Sequence, residues 1–206
     1  MRILKSIFQR LYPYATFRTG RAVYLTFDDG PIPEVTPRVL EILAQYGVKA
    51  TFFMVGENID KHPEVFRQVL QAGHAIGNHT YNHLKGWRTR YADYMANVAK
   101  WEDAVHSTPY TLHSTPLMRP PYGKATLRQR IALSKQGYRL IYWDILTRDY
   151  LATRTPEEML RQIKRETRPG SIINFHDSLK SNERMLAVLP EAIEWLLSEG
   201  YELKAL

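Results

Sequence analysis

The chain has 206 residues, 44% of them hydrophobic and 24% charged, with a net charge of +7 and no cysteine. That length fits one domain with a sizeable core, and the composition is ordinary for a globular protein. Zero cysteine excludes disulfides and thiolate metal sites and leaves the compartment open. The basic residues are scattered rather than gathered in blocks, so a solvated surface is expected and no nucleic-acid partner.

Taken in order, the first twenty residues read as an amphipathic segment and 21–206 as the domain. Ile3, Leu4, Ile7, Phe8 and Leu11 recur at helical spacing among Arg2, Lys5 and Arg10. They form either a basic helix lying on a membrane surface through residues 1–12 or a short helix docked on the domain. The apolar core of a signal peptide is not visible here, and no 18-residue apolar run occurs to span a membrane. A cytoplasmic, membrane-surface or envelope location is expected, with the chain a monomer.

Apolar runs then alternate with helical patterns. A buried strand over 22–28 ends in Asp28-Asp29-Gly30, and a helix with Val35, Val39, Leu40 and Leu43 on one face ends near Gly47. Lys49 to Val55 is a second strand, His62-Pro63 opens a helix that stops at Gly73, and 74–79 is a third, shorter strand. A long helix covers 89–106, an irregular loop 107–116, and a short run at 117–118 leads into Arg119-Pro-Pro-Tyr122. The remainder reads as a helix at 124–136, a strand at 138–145, a helix opened by Thr155-Pro156, a strand at 171–175, a helix at 183–198 and a last strand at 201–206. Repeated strand–helix alternation implies parallel strands joined by right-handed crossovers. The expected fold class is α/β, a distorted (β/α) barrel of about seven parallel strands.

Active sites of parallel barrels lie at the C-terminal ends of the strands. The polar residues gather there: Asp28 and Asp29 after the first strand, His79 after the third, Arg119 and Tyr122 after 117–118, Asp144 and Asp149 at or after 138–145, and His176-Asp177 after 171–175. Two adjacent acids serve one site only where a strand gives way to a loop, and Gly30-Pro31 supplies that turn. Alone the pair is equally well read as an Asx turn closing a strand. His79 and His83 stand at i and i+4, which one helical turn would bring to one face. With Asp29 as third ligand they form a two-His, one-carboxylate set that leaves positions open for water and substrate.

Thr26-Phe-Asp-Asp-Gly30, His79-Thr-x-x-His83, Arg119-Pro-Pro-Tyr122 and Ile172-x-x-x-His176, in that order, resemble the motif series of the polysaccharide deacetylase family (NodB homology, carbohydrate esterase family 4). The resemblance covers nearly all of the chain beyond about residue 20. It implies metal-dependent removal of an N-acetyl group from an amino-sugar glycan of chitooligosaccharide or peptidoglycan type. Asp29, His79 and His83 would bind a divalent metal, zinc first and Co, Ni or Mn as alternatives. Asp28 would be the general base, oriented by Arg119; the Tyr122 N–H would hold the oxyanion; His176 would be the general acid. Trp143 and Asn174 are expected beside Tyr122 at the substrate. Two departures stand out. Where many members carry D-x-x-D-W, with the first Asp paired to the histidine, this chain has Leu146, Asp149 and Tyr150, so either Asp144 or Asp149 would support His176. Asn174 stands where a Leu often lines the acetyl-methyl pocket. An O-acetyl ester or non-sugar amide as substrate, or a non-catalytic glycan-binding role, are the alternatives.

Overall fold

The computed structural model describes residues 20–107 and 116–206. The amphipathic segment expected at the N-terminus therefore lies outside the described residues save for Gly20, as does most of the loop expected at 107–116. In chain order the elements are β1 (Ala22–Asp28), α1 (Thr36–Gln45), β2 (Thr51–Met54), α2 (Gly56–Lys61), α3 (Pro63–Gln71), β3 (Ala75–Asn78), α4 (Tyr91–His106) and β4 (Leu117–Met118). They continue as α5 (Leu127–Lys135), β5 (Arg139–Leu140), β6 (Ile145–Leu146), α6 (Pro156–Glu166), β7 (Ile172–His176), α7 (Asn182–Ser198) and β8 (Glu202–Leu203). No described helix is long and apolar enough to cross a membrane.

All strand pairs are parallel, in the order β5-β4-β3-β2-β1-β7-β6, with β8 on the first residues of β1. The centre of the sheet is β1, buried along all seven residues. A strand covered on both faces reads as an unbroken apolar run rather than an alternation, which is why this stretch stood out in the sequence. Alternation still sorts its side chains. Val23, Leu25 and Phe27 face outward into the main core, beside Phe52, Met54, Ile173 and Phe175 and under Val39, Leu43, Phe66, Trp101 and Ile193 of the helices. Phe27 stacks between Phe52 and Phe175 with ring centroids 5.0 and 5.7 Å away. Ala22 and Tyr24 face the barrel interior with Phe53, Leu117, Ile141 and Ile172. Thr26 and Asp28 continue that inner face toward the C-terminal rim. Register sets Thr26 beside Asn174 and Asp28 beside His176, so all four share it.

Two sequence expectations change here. The strand expected over 138–145 is two short strands at opposite edges: Arg139–Leu140 pairs with β4, and Ile145–Leu146 with β7. The sheet curls until its edges face one another, and residues 141–144 step across the gap. No ladder joins β5 to β6 among the described residues. Backbone carbonyls in that gap need other donors. Arg119 supplies them, its Nε donating to the Ile141 oxygen at 3.4 Å and its Nη2 to that of Tyr142 at 3.0 Å. The second change is α2, a short helix between β2 and α3 that the sequence pattern did not mark. The helix opened by Thr155 is as expected, with Thr155 and Glu158 forming a reciprocal capping box.

Candidate functional site

A cavity of about 560 Å³ opens at the C-terminal ends of the strands. Asp28, Asp29, His79, His83, Tyr122, Trp143 and His176 all line it. Arg119 lies behind Asp28, fully buried. Asn174 is not in the lining; it is also fully buried, one layer deeper than His176. Alternation explains the difference: the inward-facing residue two positions before a rim residue sits one pleat down the barrel, out of reach of the mouth.

The three expected ligands converge. Their donor atoms lie within 4.8 Å of one another. Asp29 Oδ1 stands 3.6 Å from His79 Nε2 and 3.3 Å from His83 Nε2. That oxygen is buried and has no hydrogen-bond partner, an arrangement costly unless a cation completes it. His79 Nδ1 sits 2.7 Å from the Arg119 carbonyl, which accepts only if that nitrogen carries the proton, leaving Nε2 free to ligate. Burial first, then the charge of His79, outweigh Asp29 and Asp28 to push His83 down to about 4, so its imidazole is neutral, the metal-binding form. The donor set fits a divalent cation on this geometry.

How the chain brings these groups together differs from the expectation of one helical turn. Residues 79–85 are not helical; Thr80 and His83 hold left-handed φ of 61° and 54°. Thr80 N donates to Asn78 Oδ1 at 2.7 Å and Leu84 N to Thr80 Oγ1 at 3.1 Å, so side chains make the loop that points both imidazoles inward. Asp29 is also left-handed, with φ 84°, which turns it to the same site as its neighbour Asp28. Such a conformation needs surrounding support. Asn58 of α2 provides it, donating from Nδ2 to the Asp29 carbonyl at 2.8 Å. Asp177 holds the next residue, accepting from Gly30 N at 3.0 Å and from Thr36 Oγ1 at 2.6 Å. A Cβ on Gly30 would stand 2.1 Å from Asp177 Oδ2, so only glycine fits there. Sequence reasoning missed Asn58 because nothing in α2 itself signals a tertiary contact.

On the base side, Arg119 Nη1 donates to Asp28 Oδ1 at 2.6 Å. Burial raises the Asp28 carboxyl, but Arg119 and then His79 and His176 more than offset it, and the net shift is downward. Asp28 therefore stays ionised at neutral pH. On the acid side the structure selects Asp149, not Asp144. Asp149 is fully buried; its Oδ1 lies 2.8 Å from His176 Nδ1 and its Oδ2 accepts from His176 N at 2.7 Å. The partner is thus the second acid of the D-x-x-D pattern, and Leu146 at the first position lines the cavity instead. Asp144 precedes β6, and its Oδ2 accepts from Ile172 N at 3.0 Å at the opposite end of the barrel. Burial lowers His176, yet the hydrogen bond and charge of Asp149, with Asp28 and Asp29, raise it to about 9.

The rim carries aromatics. Tyr122, half exposed and left-handed at φ 60°, lays its ring 4.7 Å from His83 and edge-on to Trp87 at 5.5 Å. Tyr150 meets the His176 ring at 5.0 Å. Tyr81 turns away, its hydroxyl donating to Asp60 Oδ2 at 2.8 Å.

Residues 17–141 match the family model described as polysaccharide deacetylase. Over 199 residues the chain is 34% identical to a chitooligosaccharide deacetylase of Azorhizobium caulinodans, covering 90% of this chain and 92% of that protein. It is 33% identical over 156 residues to a peptidoglycan-N-acetylglucosamine deacetylase of Bacillus cereus, covering 76% of this chain but only 56% of the relative's length. A crystal structure of the peptidoglycan N-acetylglucosamine deacetylase Bc1960, in complex with 4-naphthalen-1-yl-N-oxidanyl-benzamide, superimposes with a TM-score of 0.86 at 30% identity, covering 92% of this chain and 87% of that one. Motif order, barrel and matched sequence agree, and the chain belongs to the polysaccharide deacetylase family.

Proposed function

We propose that this protein hydrolyses the N-acetyl group of an amino sugar within a glycan of chitooligosaccharide or peptidoglycan type, using a divalent cation, zinc by first choice, held by Asp29, His79 and His83. The observation that carries the reading is that one cavity is lined by both Asp28, held by Arg119, and His176, held by Asp149. When bound, the cation polarises the amide carbonyl and acidifies a water. Asp28 receives the proton from that attacking water. The Tyr122 N–H donates to the oxygen on which charge develops. His176 then gives its Nε2 proton to the departing amine, and Asp149 on Nδ1 keeps that nitrogen facing the cavity and stabilises the imidazolium. Relatives named as deacetylases of chitooligosaccharides and of peptidoglycan support the substrate class. The protein, assayed for acetate release from chitooligosaccharides and from peptidoglycan fragments, is expected to lose activity in chelator and regain it with zinc. Turnover of acetylated xylan alone, or glycan binding without turnover under any metal, would overturn the reading.

The acid side makes its own prediction. A histidine whose folded pKa is raised gives stability that is complete below about 6.5 and is lost as pH rises through about 9. The same proton is the one donated to the amine, so activity is expected to fall on the alkaline side as His176 titrates. In Asp149→Asn the charge is lost and the single amide oxygen can serve only one of His176 N and Nδ1, while burial remains, so the alkaline limb moves toward neutral pH. A pH profile of kcat checks this; an unmoved alkaline limb would remove Asp149 from the acid pair.

A further inference from the structure

Asn174 was expected at the acetyl group; its contacts point elsewhere. Its Oδ1 accepts from Arg119 Nη1 at 2.6 Å and lies 3.1 Å from Thr26 Oγ1, and its Nδ2 donates to Asp28 Oδ2 at 3.0 Å. A guanidinium on one side and a carboxylate on the other leave the amide a single orientation that satisfies both. Arg119 Nη1 also stands 2.8 Å from Thr26 Oγ1, so its two hydrogens are shared among Asp28 Oδ1, Asn174 Oδ1 and Thr26. The Thr26 hydrogen is itself shared between the Ile173 carbonyl at 3.0 Å and Asn174 Oδ1. Thr26, Arg119 and Asn174 are fully buried and do not line the cavity, so water does not substitute for a partner lost among them.

The effect on Asp28 is specific. The terminal torsion of an aspartate is soft and roughly two-fold, so one contact at Oδ1 leaves the carboxylate plane free to swing. Arg119 holds Oδ1; Asn174 holds Oδ2, and with both fixed the plane is set. Each oxygen keeps a second lone pair for a water. Arg119 is itself anchored to the Ile141 and Tyr142 carbonyls, so the clamp is tied to the gap between the barrel's edges.

We propose that Asn174 is a positioning residue: it locks the carboxylate plane of the base Asp28 by holding Oδ2 while Arg119 holds Oδ1, and does not contact substrate. The inference rests on the deacetylase reading above. The test uses Asn174→Ala and the similarly sized Asn174→Leu, both of which lose the donor to Asp28 and the acceptor for Arg119. In the metal-loaded enzymes kcat is expected to fall roughly 10- to 100-fold, as for a displaced catalytic group, with KM within about twofold and metal content unchanged. Crystal structures of both variants are expected to show the Asp28 carboxylate turned from its wild-type plane. An unchanged kcat, or a raised KM with kcat intact, overturns the proposal. If wild-type enzyme proves inactive on every N-acetyl glycan, the deacetylase reading fails on its own, and the crystal structures still decide: an unmoved Asp28 plane in either variant rejects the clamp.

Discussion

Asp28→Asn is expected to lower kcat by roughly 100- to 10,000-fold, the usual contribution of a positioned general base, with the cation still bound. The substitution preserves shape and removes basicity. It does not preserve the hydrogen bonds fully. Arg119 Nη1 and Asn174 Nδ2 both donate to the native carboxylate, and an amide can offer oxygen to only one of them. One buried donor is left facing an NH2 and the buried Arg119 cation loses its anion, so the variant should also lose about 3–5 kcal/mol of stability. Activity must therefore be measured on protein shown to be folded, with metal content assayed in parallel. Because Asp29, His79 and His83 are untouched, metal stoichiometry should equal that of wild type. Folded, metal-loaded variant within tenfold of wild-type activity would mean that another group takes the proton.

Arg119→Met should cost about 3–5 kcal/mol, because it strands Asp28 as an uncompensated buried charge. That is a large share of the stability of a domain this size. Arg119 is fully buried and also serves the carbonyls of Ile141 and Tyr142, so the loss should open the gap between β5 and β6 as well as the base. The pH dependence carries a definite sign. In wild type the Asp28 carboxyl titrates below its ordinary 3.8, so the pair stabilises above that range and the contribution is lost as pH falls through the folded value. Without Arg119, burial becomes the dominant influence on Asp28 and raises it. The variant then folds by taking up a proton, and its deficit relative to wild type should shrink as pH falls. Urea unfolding of both proteins across acid to neutral pH, in chelator so that ligand protonation does not contribute, checks this. A deficit below about 1 kcal/mol at neutral pH, the value for an exposed pair, would show that Arg119 is not the buried partner the geometry makes it. Adding Asp28→Asn to Arg119→Met should recover part of the loss, since the stranded charge is then gone.

Much of this protein is legible along the chain because the informative signals are short-range. A strand covered on both faces is a run of apolar residues, a helix start is a Thr followed three positions later by an acid, and an acid pair beside Gly30 marks a strand that ends at a site. Asp28, Asp29, His79, His83, Arg119 and His176 could all be named from their places at strand ends and from the motif series they resemble, and the barrel from the alternation of strands and helices. The tertiary structure decided what depends on register between segments far apart. Asp149 rather than Asp144 meets His176 because β6 runs parallel to β7, which leaves the residue before β6 at the wrong end of the barrel and the one after it at the rim. Asn174 meets Asp28 and not the cavity because β1 and β7 align Thr26 with Asn174, one pleat below the mouth. The break between β5 and β6, and the left-handed turns at Asp29, Thr80 and His83, follow from sheet curl and from hydrogen bonds to Asn58 and Asn78. Periodicity records which faces are buried. It carries nothing about which distant residue shares the face, and that pairing sets how Asp28, His176 and the cluster of Asp29, His79 and His83 stand to one another.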